Sequence, residues 1–586
     1  MKKTLAILCA FAAFQATQAQ VTIQRLVDIN ISSMHCSPTF REYNNALFFD
    51  AGFGLNGNIG TEPWVYRQTN DCPYGFYRTA PAFSLSPIFF TTINNKLLFT
   101  ATDPVNGNKL WTTDGTAAGT TVLKNPSANY NTVLVNCFSS GPAYSNTQFA
   151  VLNNKFIFNA KDSIHGEEVF ISDATGPGTQ LLIDVDTAHF GNGSPVFSSP
   201  TDFITVGNNV FFKAQNIKYS YELWVTDGTP AGSKLTKDIY PGNRFQSGYS
   251  GPSYFTAFNQ KLYFSASDSI HGLELWMSDG STAGTVMVSD INTGIAGSAP
   301  DALYAYKGKL YFAATTAANG HELWTTDSAT GTTALLKDLT AGGNSLITEY
   351  TPYNGKLYFV NNGSELWSTD GTTAGTVLVK SGLSSASRLA LFGGKLYFES
   401  LGDLWVSDGT TAGTLAVVGA TGFSPRFDVS GKLLCFGFSA TNKFLLCDSN
   451  QQINTIAASN VSPYGDIVKF GNAAYFEGNS TSGGIYALYR IGETITNCTP
   501  VSSIESVEHI QFTVYPNPTA GRFVLETTAY QGKHMALCNT IGQTVYTQTL
   551  SNSQTPIDIS HQPSGLYFIH IYEGNKVVGT QKIAIE

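Results

Sequence analysis

Two five-residue runs in this 586-residue chain carry matching imidazoles, Asp162-Ser163-Ile164-His165-Gly166 and Asp268-Ser269-Ile270-His271-Gly272. A histidine can serve as general acid or base, but a catalytic histidine would be unique, and recurrence at one place in two copies favours a loop role. Aspartates followed by glycine recur through the chain. Each such turn offers a single carboxylate, where a calcium loop clusters several oxygens, so these aspartates read as turn caps. Gly-x-Ser-x-Gly, a phosphate-binding glycine loop and zinc spacing of Cys-x-x-Cys or His-x-x-x-His type are all missing. Arginines at 25, 41, 67, 78, 244, 388, 426, 490 and 522 rarely recur at one repeat position, as a cluster for a substrate carboxylate would require. Carboxylates distant in sequence could still meet in a central funnel. No catalytic, cofactor-binding or metal-binding residue is assigned, and no cofactor is expected.

Cysteine spacing is more informative. Cys435 and Cys447 lie symmetrically about a hairpin centred near Thr441, which predicts a facing pair at disulfide range. Cys36 and Cys72 bracket one repeat and are candidates to staple it. Cys137, Cys498 and Cys538 have no evident mates, and Cys9 lies in the leader.

Composition states what must position these residues. The chain is 42% hydrophobic and only 13% charged, with 56 Gly and 23 Pro. Such turn density belongs to all-β chains. A net charge of −9 lacks the basic footprint of a nucleic-acid binder. Met1 to Ala19 has the form of a secretory signal: Lys2-Lys3, an apolar run over 5–14, and Thr17-Gln18-Ala19 before Gln20, with cleavage expected between Ala19 and Gln20. That run is too short to span a bilayer and no later stretch is long enough, so no transmembrane segment is expected.

All seven tryptophans fall in one repeat. Leu110-Trp111-Thr112-Thr113-Asp114-Gly115-Thr116 returns as Leu223-Trp224-Val225-Thr226-Asp227-Gly228-Thr229. Trp276, Trp324, Trp367 and Trp405 follow, each three residues before Asp279, Asp327, Asp370 and Asp408. Phe170 with Asp173 is a degenerate copy, Trp64 a weakened first member, and Leu446 and Tyr489 mark worn copies, giving ten units. A second glycine five residues after the aspartate (Gly119, Gly178, Gly232, Gly284, Gly375, Gly413) would let the chain re-enter a strand; Gly331 lies one residue closer to Asp327. Within a unit the apolar period is two, and 254–291 divides into four short strands. Four antiparallel strands per unit is the arithmetic of a β-propeller blade, which cannot bury both faces alone; the tryptophans suit the layer between blades. Gln24-Arg25-Leu26-Val27-Asp28-Ile29 copies the fourth-strand pattern and should complete the last blade. One ring is favoured over two smaller ones, since the linkers show no break.

These units resemble the ELWxxDGT repeats of secreted bacterial proteins and, more distantly, the Asp-box hairpins of sialidases and ten-bladed sortilin-type propellers, which implies a structural role for the aspartates. From residue 512 the texture changes to a small immunoglobulin-like β-sandwich. Tyr515-Pro516-Asn517-Pro518, Gly542-Gln543-Thr544-Val545 and Gly565-Leu566-Tyr567 resemble the type A C-terminal sorting domain of the type IX secretion system of Bacteroidota. Lys582-Ile583-Ala584-Ile585-Glu586 departs from it, where a basic residue nearer the end is expected. The resemblance implies a periplasmic intermediate, translocation through the secretion machinery, removal of the domain, and release or attachment at the cell surface. The Asp-Ser-Ile runs also resemble the O-glycan acceptor of these bacteria, which implies modification at Ser163 and Ser269.

The expected organisation is a signal at 1–19, a repeat propeller at 20–497, a linker at 498–511 and a sorting domain at 512–586. The expected function is a secreted or surface-attached binding and adhesion module for a glycan or protein ligand. An extracellular polysaccharide hydrolase or lyase, and a structural surface component, stand as alternatives.

Overall fold

The computed structural model describes residues 21–28, 40–52, 61–67, 74–75, 88–103, 107–116, 119–123, 130–131, 149–162, 164–191, 193–242, 250–429, 431–437, 444–456, 461–480, 486–493, 512–539, 544–573 and 576–586. These residues are all-β, and none of them forms a helix long and apolar enough to cross a membrane. The chain divides into two compact units, 1–500 and 501–586.

In the first unit ten antiparallel sheets follow one another among the described residues, at 41–75, 88–122, 130–183, 201–235, 253–289, 301–337, 347–380, 387–421, 423–456 and 461–493. Each is a meander whose strands pair in chain order. The fifth is representative, with strands Ser253–Phe258, Lys261–Asp268, Gly272–Ser278 and Val286–Ser289. The third carries an extra pairing of Tyr130–Asn131 with Lys155–Asp162. The tenth takes its fourth strand from the start of the chain: Val21–Asp28 runs antiparallel to Tyr486–Glu493, Val21 opposite Glu493 and Asp28 opposite Ala487. This is the pairing that the fourth-strand pattern at 24–29 predicts.

The second strands explain why the sheets stack. Leu262, Tyr263, Phe264, Ser265 and Ala266 are consecutive and all buried, so neither face of that strand meets water and neighbouring sheets must cover both. Trp276 closes a cluster with Val206, Phe211 and Val225 of the sheet before it. Trp111, Trp224, Trp324, Trp367 and Trp405 likewise pack with the preceding sheet, while Trp64 stacks on Phe49 of its own sheet. Similar clusters join the second to the third sheet, the eighth to the ninth and the ninth to the tenth. Tyr66 of the first sheet meets Phe470 and Tyr475 of the tenth, at ring separations of 6.3 and 5.2 Å.

The cysteine expectation needs correction. The ninth sheet pairs Cys435 with Leu445 and Cys447 with Leu433, so the hairpin centre is displaced by one residue from the predicted one. The two thiols sit on a diagonal, about 7–8 Å between backbone positions and beyond bridging range. Both are free and buried, and burial pushes both thiols up, Cys435 most. Cys538 is also free and buried. The Cys36–Cys72 pair, Cys137, Cys498 and the leader with Ala19 and Gln20 lie outside the described residues.

The second unit has a three-stranded sheet (Thr513–Tyr515, Arg522–Glu526, Gln554–Asp558) and a four-stranded one (Thr544–Thr549, Lys533–Asn539, Gly565–Glu573, Lys576–Ile585). Phe523, Leu525 and Ile557 of the first share one core with Met535, Leu537, Ile569 and Ile583 of the second.

Candidate functional site

The residues that recur most are occupied with local structure. Asp279 Oδ1 accepts hydrogen bonds from the backbone N–H of Ser281 at 2.8 Å and from its hydroxyl at 2.7 Å, and the Ser281 hydroxyl accepts the N–H of Gly284 at 2.9 Å. The same three-bond pattern holds Asp114, Asp173, Asp227, Asp370 and Asp408. Donation by the hydroxyl and backbone of the residue two further on holds the Asp227, Asp279, Asp370 and Asp408 carboxyls below the usual range. Asp327, in the shorter turn, keeps the backbone bond from Ala329 N–H at 2.8 Å, has no hydroxyl donor two residues on, and accepts from Lys309 Nζ at 2.9 Å. Beneath these turns a hydroxyl pair spans the hairpin, buried in Ser278 with Thr285 at 2.7 Å and Thr369 with Thr376 at 2.8 Å.

The glycines divide the work. Gly280, directly after Asp279, has φ of 91°, the left-handed region where glycine is cheapest. Gly284 has no such conformation; a Cβ there would lie 2.1 Å from the Asp279 carboxylate. The second glycine therefore makes room for the aspartate rather than turning the chain, which corrects the strand re-entry expectation.

A second recurrent carboxylate carries no turn. Glu168, Glu222, Glu274 and Glu322, each two residues before the aromatic anchor, are fully buried. Every one reaches the crossover to the next sheet. Glu322 accepts from the N–H of Leu339 at 2.6 Å, the N–H of Thr340 at 3.3 Å and the Ser345 hydroxyl at 2.9 Å. Glu274 holds Ile291, Asn292 and Ser298; Glu222 holds Tyr240 and Ser250; Glu168 holds Val185 and Ser198. Burial opposes the donors and pushes Glu168 up to about 9 and Glu222 up to about 8. Nearby Asp184 and Asp238 add like charge. Sequence reasoning missed these glutamates; their constant offset from the tryptophan was the available signal.

The imidazoles cap turns. Asp162 and Asp268 accept from the backbone of their own turns and hold His165 Nδ1 and His271 Nδ1 at 2.8 Å each. The hydrogen bond to Asp268 raises His271. In the fourth sheet Asn216 Oδ1 caps the equivalent turn without a histidine. Ser269 is exposed at the tip of its turn, and Ser163 lies outside the described residues. Among the described residues no group of three or more His, Cys, Asp or Glu is arranged to hold a metal ion.

One position behaves differently. The first strands of the third to ninth sheets lie against one another in a row, tied by Thr205 Oγ1 donating to Val151 O at 2.8 Å and by Tyr304 stacked on Tyr350 at 5.2 Å. Five of these strands carry a bulge whose residue has left-handed φ: Asp202 at 58°, Tyr254 at 55°, Ala302 at 50°, Glu349 at 61° and Arg388 at 60°. Such backbone costs a non-glycine residue about 1–3 kcal/mol, and glycine is used freely elsewhere in the repeat. The side chains here change in chemical kind from sheet to sheet. Asp202 pairs with Lys213 at 2.9 Å and Arg388 Nε with Glu399 at 3.5 Å, while Ala302 has no polar group and Asp301, the residue before it, pairs with His321 at 3.2 Å. Arg426 falls in the bulge of the next sheet, one position on from the equivalent of Arg388. This row is the candidate ligand-facing surface.

In the second unit Tyr515, Pro516, Asn517 and Pro518 are exposed, and Asn517 Oδ1 accepts the N–H of Ala584 at 3.0 Å, joining this loop to the last strand. Tyr567 is buried in the core with its hydroxyl on Pro563 O at 2.9 Å, and Gly565 opens its strand; the side chain of Leu566 lies outside the described set. Residues 513–586 match the secretion system C-terminal sorting domain family. That domain indicates export by the type IX secretion system to the cell surface or outside the cell, and implies contact with its machinery. No curated protein matches the sequence. Among solved structures, the computationally designed Ika8 protein is 14% identical, covering 67% of this chain and 98% of its own, with a TM-score of 0.30. PorZ of Porphyromonas gingivalis, described as an essential bacterial surface component of the type IX secretion system, is 12% identical, covering 95% and 87%, at 0.26. The extracellular domain of BT4673 from B. thetaiotaomicron is 10% identical, covering 96% and 99%, at 0.21. Scores this low carry no argument about shape or activity.

Two outcomes follow. Gly284→Ala should destabilise the protein by about 1–3 kcal/mol, and Asp279→Ala combined with it should recover most of that loss, read as coupling in denaturant midpoints; additive losses would contradict the steric role. A glutamate raised above its ordinary value contributes most stability below that value of 4.5 and loses it as pH climbs toward 8 or 9. The unfolding midpoint should therefore fall between pH 5 and 9, and Glu168→Gln with Glu222→Gln should flatten that slope; an unchanged slope would remove these carboxyls as its source.

Proposed function

We propose that the first unit is a single ten-bladed ring of the ELWxxDGT type, spanning 20–497, that presents a binding and adhesion surface outside the cell. In this reading a signal at 1–19 starts export, 498–511 links the ring to the sorting domain, and 512–586, an immunoglobulin-like sandwich, addresses the chain to the type IX machinery. Support for closure comes from the leading strand in the tenth sheet and from Tyr66 against Phe470 and Tyr475. The observation that carries the binding role is the first-strand position where backbone strain is constant and side-chain chemistry varies. A repeat that needed only the bulge would place glycine there; Asp202, Tyr254, Glu349 and Arg388 instead give four of the blades a recognition group of their own, suited to a glycan or protein ligand.

The test has two arms in the secreting cell. Deleting 512–586 should trap the protein in the periplasm. Asp202→Ala, Glu349→Ala and Arg388→Ala together should leave export and melting intact while lowering cell adherence or glycan-array binding about tenfold. Secretion without the C-terminal unit would contradict the export reading, and unaltered adherence would contradict the binding surface.

A further inference from the structure

Thr315 and His321 are directly opposed on the second and third strands of the sixth sheet. Their backbone N–H groups bond elsewhere, Thr315 to Ser298 O at 2.7 Å and His321 to Asn344 Oδ1 at 3.0 Å. Theirs is therefore a non-hydrogen-bonded pair, the kind in which facing side chains stand closest. Thr315 Oγ1 and His321 Nδ1 accordingly lie 2.9 Å apart. Asp301, on the first strand, stands opposite Ala313, whose small side chain leaves room on that face. Asp301 Oδ1 lies 3.2 Å from His321 Nε2.

The order of these contacts assigns the protons. An Asp301 carboxylate can only accept, so Nε2 carries the ring proton and Nδ1 presents its lone pair to the Thr315 hydroxyl. A hydroxyl, a base and an orienting carboxylate in that sequence are the parts of nucleophilic acyl transfer.

The three preceding sheets fill the same register differently. The opposed pair is Lys161 with Glu167 in the third, Gln215 with Tyr221 in the fourth and Ser267 with Leu273 in the fifth. Thr201 and Ser253 take the place of Asp301 in the fourth and fifth. The sheet does not need an imidazole there, and His321, unlike His165 and His271, is not copied at its position in those sheets. Solvent meets the arrangement. The side chains of His321 and Asp301 are 19% and 35% exposed, Thr315 is half-buried, and Ala317-Ala318 in the adjoining turn are exposed and small.

We infer that Thr315 is the nucleophile of an ester-hydrolysing site, with His321 as general base and Asp301 as the positioning residue that fixes the imidazole tautomer. Thr315 Oγ1 bonds to the acyl carbon of a carboxylic ester while its proton passes to His321 Nδ1. The ester C–O bond then breaks, and that proton leaves on the alcohol. Water attacks the acyl-threonine and gives a proton to Nδ1; the bond from the acyl carbon to Thr315 breaks, the proton returns to the threonine oxygen, and the carboxylic acid departs. Asn344, exposed and holding the His321 backbone through Oδ1, supplies an amide N–H for the oxyanion. The threonine methyl crowds the nucleophile, which favours short acyl groups, and an alcohol leaves more readily than an amine. The three residues belong to one sheet, so the inference goes beyond the binding reading and does not rest on a closed ring.

The test uses the full secreted chain, a fluorophosphonate and p-nitrophenyl acetate. The fluorophosphonate should add one phosphonyl group to Thr315 with loss of fluoride, located by peptide mass spectrometry. Ser267, a hydroxyl in the same register without an imidazole, should stay unlabelled. Thr315→Val and His321→Gln should each lower ester turnover by about 100-fold or more, and Thr315→Ser should keep it. Asp301→Asn should lower kcat by about tenfold or more at an unchanged KM and melting temperature. No adduct on the wild type, an adduct elsewhere in place of Thr315, or full turnover in His321→Gln would each overturn the inference. So would activity lost only in step with melting temperature, which would assign the three residues to holding the sheet.

Discussion

A sheet of four short strands whose central strands are apolar on both sides has no stable existence in water, and the architecture of the first unit follows from that constraint. Leu262 to Ala266 are buried along their whole length, and so are Leu310 to Ala314 in the next sheet. Each indole from Trp111 onward fills the layer toward the preceding sheet. The indole N–H groups of Trp224, Trp276 and Trp324 are buried without an acceptor, a penalty of about 1–3 kcal/mol each that only packing across the layer offsets. The strand that completes the tenth sheet comes from the other end of the sequence, which covers an edge that would otherwise invite pairing.

Within that stack the work is divided by position. Aspartate, hydroxyl and two glycines make the turn at one end; a buried glutamate two residues before the anchor holds the crossover at the other. These groups are spent on their own hydrogen bonds, and so are the aspartate–histidine pairs at 162–165 and 268–271. The first-strand row and the second-to-third turns are where the repeat keeps its backbone and varies or exposes its side chains. The C-terminal unit carries the address: an exposed Tyr515–Pro518 loop fastened to the last strand, and Tyr567 in the core beneath.

The units and their strands were legible because tryptophan spacing, period-two apolar runs and Asp-Gly turns are local signals. The pairing of Val21–Asp28 was legible too, since it copies a pattern whose partner is a fixed part of every unit. What escaped depends on contacts between sheets or on exact register. Glu322 reaches Leu339 and Ser345, residues whose nearness only the folded crossover creates. Gly284 looks like a strand-entry glycine until the Asp279 carboxylate is seen over it. The Cys435–Cys447 symmetry failed by a single residue of register, which is enough to move two thiols from opposite to diagonal. The left-handed row from Asp202 to Arg388 was hidden because its side chains share no chemistry.

Native-state hydrogen exchange is the most direct check on interdependent sheets fastened by the leading strand. Amides of Val21–Asp28 that bond to Tyr486–Glu493 should exchange as slowly as those of Ala473–Ser480 in the interior of the same sheet, and should lose protection together with them on mild denaturation. Rapid exchange of Val21–Asp28 while Ala473–Ser480 stays protected would contradict the account.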